Sequence, residues 1–265
     1  MIDKDKRWQD RRERWVAPGE VFDPAAFAVD ALARDREAKA FVEAHHYSGS
    51  YPAARFRVGL FGPGARLVGV AVFSEPAQRA VVPRWTGLAR DRGVELGRFV
   101  LLPEVAYNGE TWFLARAFRL LREAKPVDAV VSYADPTARF DAAGRRVKPE
   151  HWGTIYQASG ARYVGRARKR SLVLAPDGSV VSERAISKIR NEERGWEYAA
   201  RQLLRHGAPA RAAGEDLAAW CARALLGFRR LPHAGNLTYV FGLTKAGKAK
   251  LADLHGGGLP YPKAA

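Results

Sequence analysis

One run limits the folds open to this chain more than any other. The apolar stretch Val127 to Val131 breaks off abruptly into Ser132-Tyr133-Ala134-Asp135-Pro136. A strand apolar enough to be covered on both faces belongs to an α/β sheet, and such sheets place their ligands beyond one end of the strands. The polar residues closing this run are therefore expected where chemistry takes place. A second polar segment, His151-Trp152-Gly153-Thr154-Ile155-Tyr156-Gln157-Ala158-Ser159-Gly160, follows after a basic loop.

The flanking pattern supports a mixed sheet with helices. Phe27, Ala31, Ala38, Phe41 and Val42 recur at helical spacing and predict a helix from Ala25 to His45, running into His46-Tyr47-Ser48. Arg55 to Phe61 and Leu67 to Phe73 around Gly62-Pro63-Gly64 read as a hairpin, with Glu95 to Leu102 as the next strand. Asn108-Gly109-Glu110-Thr111 opens a helix that Pro126 ends. Arg162 to Gly165 and Ser171 to Leu174 read as a strand pair turned at Pro176-Asp177-Gly178. Beyond Ser179 the composition shifts to basic helical stretches, Ser182 to Leu204 and Glu215 to Phe228, and then a strand at Leu237 to Leu243. The expected organisation is a charged arm (1–24), an α/β catalytic domain (25–178) and a basic, mostly helical extension (179–265).

Charge narrows the partners. The chain carries a formal +16, of which residues 162–265 contribute +11 from 19 Lys and Arg against 8 Asp and Glu. A basic carboxy-terminal third points to a polyanion, most simply double-stranded DNA, with a solvated basic surface as the plain alternative. No apolar run approaches the roughly 18 residues of a membrane span, and the charged amino terminus lacks a signal-peptide core, so a cytoplasmic protein without membrane contact is expected. The single cysteine, Cys221, has no partner for a disulfide or a zinc site and reads as helix packing.

His45-His46-Tyr47-Ser48, Glu95-Leu96-Gly97-Arg98-Phe99, Asn108 to Thr111, Ser132 to Pro136 and His151 to Ala158 occur in an order and spacing that resemble the Mom family of bacteriophage DNA-modification enzymes. The resemblance covers about residues 41–175. It implies a mixed sheet flanked by helices like that of the GNAT acetyltransferases, hypermodifying adenine in duplex DNA to a carbamoylmethyl form that protects it from restriction. An acetyl-CoA or related acyl donor and an iron requirement come with the same resemblance. This chain departs from the family pattern in one place, by inserting the Arg-rich segment Thr137 to Glu150 between the Asp-Pro and His-x-Gly-Thr motifs.

The candidate catalytic residues are His46, Tyr47, Ser132, Tyr133, Asp135, His151 and Tyr156. Asp135 is a candidate to accept a proton, to orient a histidine or, with His46 and His151, to complete a two-His, one-carboxylate iron set. Tyr47, Tyr133 and Tyr156 offer flat surfaces for an extruded base, with Ser132 and Gln157 as hydrogen-bonding groups for its edge; the alternative is that each tyrosine is a core residue. The donor is expected along Arg98, Phe99 and Val100, its pyrophosphate at Asn108, Gly109 and Thr111, where a helix start supplies positive potential and Gly109 permits close approach. On strict alternation Arg98 shares a face with Leu96, away from Glu95, and needs an anion or a structural partner such as Glu95 or Asp135. Arg145, Arg146, Lys148, Arg168, Lys169, Arg170, Lys188 and Arg190 are the candidate DNA contacts. Two other functions stay open: acyl transfer to an aminomethylated pyrimidine in phage DNA, and non-catalytic DNA binding.

Overall fold

The computed structural model describes residues 5–9, 12–16, 22–106 and 108–263. Its elements are β1 Asp5–Gln9, β2 Arg12–Val16, β3 Ala28–Ala31, α1 Asp35–His45, β4 Ala54–Gly62, β5 Arg66–Ser74, α2 Val81–Thr86, β6 Gly93–Leu101, α3 Gly109–Ala124 and β7 Ala129–Ala134. They continue with β8 Arg139–Phe140, β9 Arg146–Lys148, α4 Thr154–Ala158, β10 Arg162–Arg166, β11 Arg170–Leu174, β12 Val180–Val181, α5 Glu183–Arg190, α6 Trp196–Arg205, α7 Leu217–Ala224, β13 Arg229–His233, β14 Leu237–Gly242 and α8 Lys245–His255. Much of the expected arm falls outside the described residues; within it, β1 and β2 pair antiparallel.

By packing, the chain divides into two units that cut across the boundary read from composition. One comprises residues 1–136, 151–167 and 236–265, and the other residues 137–150 and 168–235. The first holds a seven-stranded sheet in the order β10-β14-β7-β6-β5-β4-β3, antiparallel except for the β6–β7 pair. Val70, Val72, Phe73, Val130 and Val131 are fully buried in its central strands, which is why these strands are apolar on both faces. One face is covered by α3, whose Phe113, Leu114, Ala117 and Leu121 are all buried. Aromatic rings seat it on the sheet, with centroids 5.5 Å apart for Phe99 and Phe113 and 4.8 Å for Phe118 and Phe241.

Several expectations are corrected. The residues from Ala25 form a 3-10 turn and the edge strand β3, and the helix begins only at Asp35, because β3 pairs with β4 along the sheet edge. β10 and β11 are not partners: β10 pairs with β14, while β11 belongs to the other unit with β12 and β13. The carboxy-terminal strand β14 lies inside the main sheet, between β10 and β7. Thr244, the cap of α8, donates to Asp128 at 2.7 Å, and Arg92 donates to the same carboxylate at 2.7 Å, fastening this return to the start of β7.

The second unit builds a three-stranded sheet, β12-β11-β13, the β8–β9 ladder from the inserted segment, and a helical cluster of α5, α6 and α7. Its core is Ile186, Ile189, Leu203, Leu217, Trp220 and Cys221 with their neighbours, so Cys221 packs as expected.

Candidate active site

The parallel pair at the centre of the sheet holds together over three positions only, Gly93 with Ala129, Val94 with Val130 and Glu95 with Val131. Beyond them β6 continues to Leu101 against β5, and β7 continues to Ala134 against β14. The two strands therefore part into a wedge that opens toward their carboxyl ends, and Glu95 stands at its base. Helix α3 begins after β6 ends, so its amino terminus is at the same end of the sheet.

A bulge decides which side chains meet there. Val72 pairs with Arg98 and Phe73 with Leu96, leaving Gly97 as the extra residue on β6. Ser74 pairs with Glu95, and Val72 and Ser74 share a face of β5, so Arg98 lies on the face of Glu95. The expectation that it sits with Leu96 is thus corrected; simple alternation fails across a bulge. Arg98 donates from Nε to the Ser50 carbonyl at 2.9 Å and from Nη2 to the Ser50 hydroxyl at 2.8 Å, bracing the segment that carries His46 and Tyr47. Tyr51 and Arg57 both bond to Asp35, at 3.0 and 2.7 Å, and fix the other end of that segment.

Burial pushes the Glu95 carboxyl up to about 7, with the positive charge of Arg98 opposing the rise. Around it the site is phenolic. Tyr133 is pushed up to about 12 by burial and by the Glu95 charge, with Trp85 and Arg84 acting the other way. Burial also raises Tyr156, tempered by the neighbouring Ser132 hydroxyl, and Tyr47 and Glu95 raise it further. The Ser132 hydroxyl is fully buried and has no hydrogen-bond partner at normal geometry.

His151 and Asp135 join this group by the backbone: the His151 N–H donates to the Asp135 carbonyl at 2.9 Å. The inserted segment thus leaves and returns through a closed neck, and the two motifs it separates stay adjacent. The His151 ring meets Tyr156 edge-on at 5.3 Å, and the His46 ring lies 4.3 Å from Tyr47. The His46 Nδ1 accepts the Ser48 N–H at 3.1 Å, so the neutral ring carries its proton on Nε2. Gly153 opens α4 at φ 76°, where an added Cβ would enter the Tyr239 ring. Gln157 is spent on the same clamp, donating to the Trp152 carbonyl at 3.0 Å and the Tyr239 hydroxyl at 3.1 Å, instead of being free for a base edge.

All seven expected catalytic residues therefore fall in one region, linked through Tyr47, Arg98, Glu95 and Tyr156. The iron set does not form: among the described residues no three His, Cys, Asp or Glu side chains converge as metal ligands, and His46, Asp135 and His151 do not fit the group. Of the expected donor residues, Arg98 and Val100 lie on the face of Glu95, whereas Phe99 faces α3. The role expected of Gly109 is corrected. An added Cβ there would press on Val105 and Phe22, and its N–H bonds to the Ala106 carbonyl, so the glycine serves packing and not phosphate approach. Thr111 donates to the Asn108 carbonyl at 3.1 Å.

Among the expected DNA contacts, Lys148 is corrected. It is 1% exposed, and its Nζ donates to the carbonyls of Thr137 at 2.9 Å and Pro149 at 2.8 Å, so it ties the inserted segment together and cannot reach a phosphate. Arg145 and Arg146 pair with Asp141 and Glu150. Arg168, Lys169, Arg170 and Arg190 are exposed, and Lys188 is half-buried. The residue that sequence reasoning misses is Glu95, which enters there as the start of a strand, within a motif and as a partner for Arg98, but not as a catalytic candidate. Its signal is a lone carboxylate inside a strand, two residues from a glycine able to bulge.

The fold is thus a seven-stranded mixed sheet flanked by helices, with a central parallel pair that forks over a buried carboxylate. The sequence profile of the Mom protein family matches residues 26–215, and the chain belongs to that family. Similar solved structures include a tandem GNAT protein from the clavulanic acid biosynthesis pathway, 12% identical, covering 82% of this chain and 99% of that one at a TM-score of 0.42. Spermidine N-acetyltransferase from Vibrio cholerae is 12% identical over 54% of this chain and 82% of that one, TM-score 0.35. A GNAT family N-acetyltransferase from Escherichia coli in complex with CoA is 12% identical over 54% and 73%, TM-score 0.34. No match emerged among curated proteins. Among the described residues no helix is long and apolar enough to cross a membrane.

Proposed function

We propose that this chain is a DNA base-modifying transferase that acts on the exocyclic N6 of adenine in duplex DNA, adding a carbamoylmethyl-type group that shields the DNA from restriction. The observation that carries the reading is Glu95: a carboxylate raised by burial to about 7 at the base of a wedge, with Arg98, Tyr133 and Tyr156 close enough to feel its charge and Tyr47 beside Arg98 and Tyr156. Family membership supports a nucleic-acid substrate, and so does the +16 charge.

In this reading N6 attacks the activated carbon of the donor, a nitrogen–carbon bond forms, the bond to the leaving group breaks, and Glu95 accepts the proton that the amine loses. A pKa near the working pH suits that task, because the base is substantially ionised yet still basic. Burial keeps the Tyr156 phenol protonated, so it can donate a hydrogen bond to charge developing on the leaving side. Tyr47 and Tyr133, both half-buried, supply the flat surfaces on which an extruded adenine restacks. Asp135 and His151 close the neck beside them. An acetyl-CoA-type donor, which Arg98, Val100 and the start of α3 at Asn108 and Thr111 would hold, would supply an activated thioester carbon and give an N6-acyl adenine with release of the thiol, whereas a carbamoylmethyl product requires a donor whose methylene carbon carries the leaving group.

Nucleoside mass spectrometry of DNA from cells expressing the protein tests this. A new deoxyadenosine derivative is expected, lost in Glu95→Gln; unmodified DNA would overturn the reading. The same basic carboxylate also favours a second acceptor, the amine of an aminomethylated pyrimidine, which is protonated at neutral pH and must lose a proton before it attacks. A new pyrimidine derivative in that experiment would select it.

A further inference from the structure

The unit formed by residues 137–150 and 168–235 holds 17 Lys and Arg against nine Asp and Glu, so half of the chain's +16 lies in fewer than a third of its residues. Much of that charge is spread or answered. Arg184 pairs with Glu193, Arg223 with Glu215, Arg145 with Asp141 and Arg146 with Glu150.

Helix α6 is different. It buries Ala199, Ala200 and Leu203 and turns Tyr198, Arg201, Leu204 and Arg205 outward. Tyr198 is 64% exposed and Leu204 43%, an unusual cost for large apolar side chains unless something covers them. These four residues line one shallow hollow. Neither arginine has an ion-pair partner among the described residues, and Glu197, on the edge of the same face four positions before Arg201, pairs with neither. Arg201 and Arg205 are one turn apart, about 6 Å along the helix axis, which suits neighbouring phosphates on one strand.

We infer that this face of α6 is a docking surface for the backbone of duplex DNA, with Arg201 and Arg205 on phosphates and Tyr198 and Leu204 against the sugars between them. Charge complementarity selects the occupant: unpaired guanidiniums beside exposed apolar surface fit a polyanion that also presents apolar faces. The sequence alone groups the two arginines with a general basic stretch; the structure adds the aromatic, the hollow and the absence of ion-pair partners. The inference rests on the reading that duplex DNA is the substrate.

The test is fluorescence anisotropy of a short labelled duplex titrated with the full-length protein across a salt series. Replacing both arginines by glutamine is expected to lower the slope of log K against log salt by about 1.8, or roughly 0.9 for each phosphate left unneutralised. Tyr198→Ala should weaken binding about fivefold with the slope unchanged, as removal of an uncharged group does. Glu197→Gln should tighten binding about twofold by removing repulsion from phosphate, a gain that misfolding cannot mimic. If the wild-type protein fails to bind duplex DNA at all, the substrate reading falls. If it binds and all these variants bind with wild-type affinity and slope, only the assignment of α6 falls. A change in sedimentation of the double variant, with DNA binding intact, would likewise overturn it by giving the face to a second copy of the chain.

Discussion

Replacing Glu95 by glutamine separates its chemical role from its structural cost. The carboxyl sits at about 7 against an ordinary 4.5, a difference of about 2.5 units. Since the folded-state pKa is raised, the folded protein keeps a proton between those values that the unfolded chain has released, and stability falls as pH rises through this window. At about 1.4 kcal/mol per pH unit the loss is about 3 kcal/mol at pH 7 and levels off at about 3.5 kcal/mol above it. Glu95→Gln carries no ionisable group and escapes it. The two proteins should therefore be nearly equally stable below pH 4.5, and above neutrality the variant should be the more stable by about 3 kcal/mol, or about 6 °C in Tm.

Chemical denaturation at a series of pH values measures this gap, and carbon-detected titration of the Glu95 carboxyl gives the midpoint directly. The variant should also be inactive, so the substitution that stabilises the fold abolishes the modification, as expected of a destabilised functional site. Arg98→Gln should move the Glu95 midpoint above 7, because it removes the one charge that opposes the rise. A stability gap independent of pH, or a carboxyl titrating near 4.5, would refute both the burial argument and the assignment of Glu95 as base.

Asp135→Asn keeps the backbone carbonyl that accepts from His151 and should leave the modified nucleoside, DNA binding and melting temperature near wild type, measured by mass spectrometry and anisotropy; loss of the nucleoside with DNA binding intact would move the proton-accepting role from Glu95 toward the Asp135 carboxylate. Acetyl-CoA or CoA should raise the melting temperature in a concentration-dependent way, and Thr111→Asp should abolish the shift by repelling phosphate at the α3 start. Changing Arg168, Lys169 and Arg170 together to alanine should flatten the salt dependence of DNA binding by up to roughly 0.9 per residue. Lys148→Ala should leave that slope alone and instead cost about 2 kcal/mol in stability, since it strands the carbonyls of Thr137 and Pro149.

The central strands are legible in the sequence because burial on two faces makes a short run such as Ala129 to Val131 apolar throughout, and α3 because Leu114, Ala117 and Leu121 keep helical spacing. The candidate catalytic residues are legible as motifs, and in the structure those motifs lie in one region. What cannot be read is anything set by partners distant in sequence. β14 looks like the end of a basic tail until Asp128 is seen to hold both Arg92 and Thr244. Lys148 carries the same charge as its neighbours, and only the fold reveals that its ammonium faces two carbonyls. Strict alternation puts Arg98 on the wrong face because a bulge is a property of two strands, and Gly97 alone does not announce one.

The segment Thr137 to Glu150 shows how the Ser132 to Pro136 and His151 to Ala158 motifs stay adjacent although a loop separates them. An insertion at a strand end is tolerated when its two ends remain close, since loop-closure entropy grows only slowly with length. The bond from His151 to the Asp135 carbonyl meets that condition, and the segment itself packs with residues 168–235, contributing β8, β9 and the buried Lys148 to a different unit. Thr137 to Glu150 is thus an extension of the second unit routed through the first. Its Arg145 and Arg146 are engaged by Asp141 and Glu150, whereas Arg168, Lys169 and Arg170 after β10 and Arg201 and Arg205 on α6 are exposed.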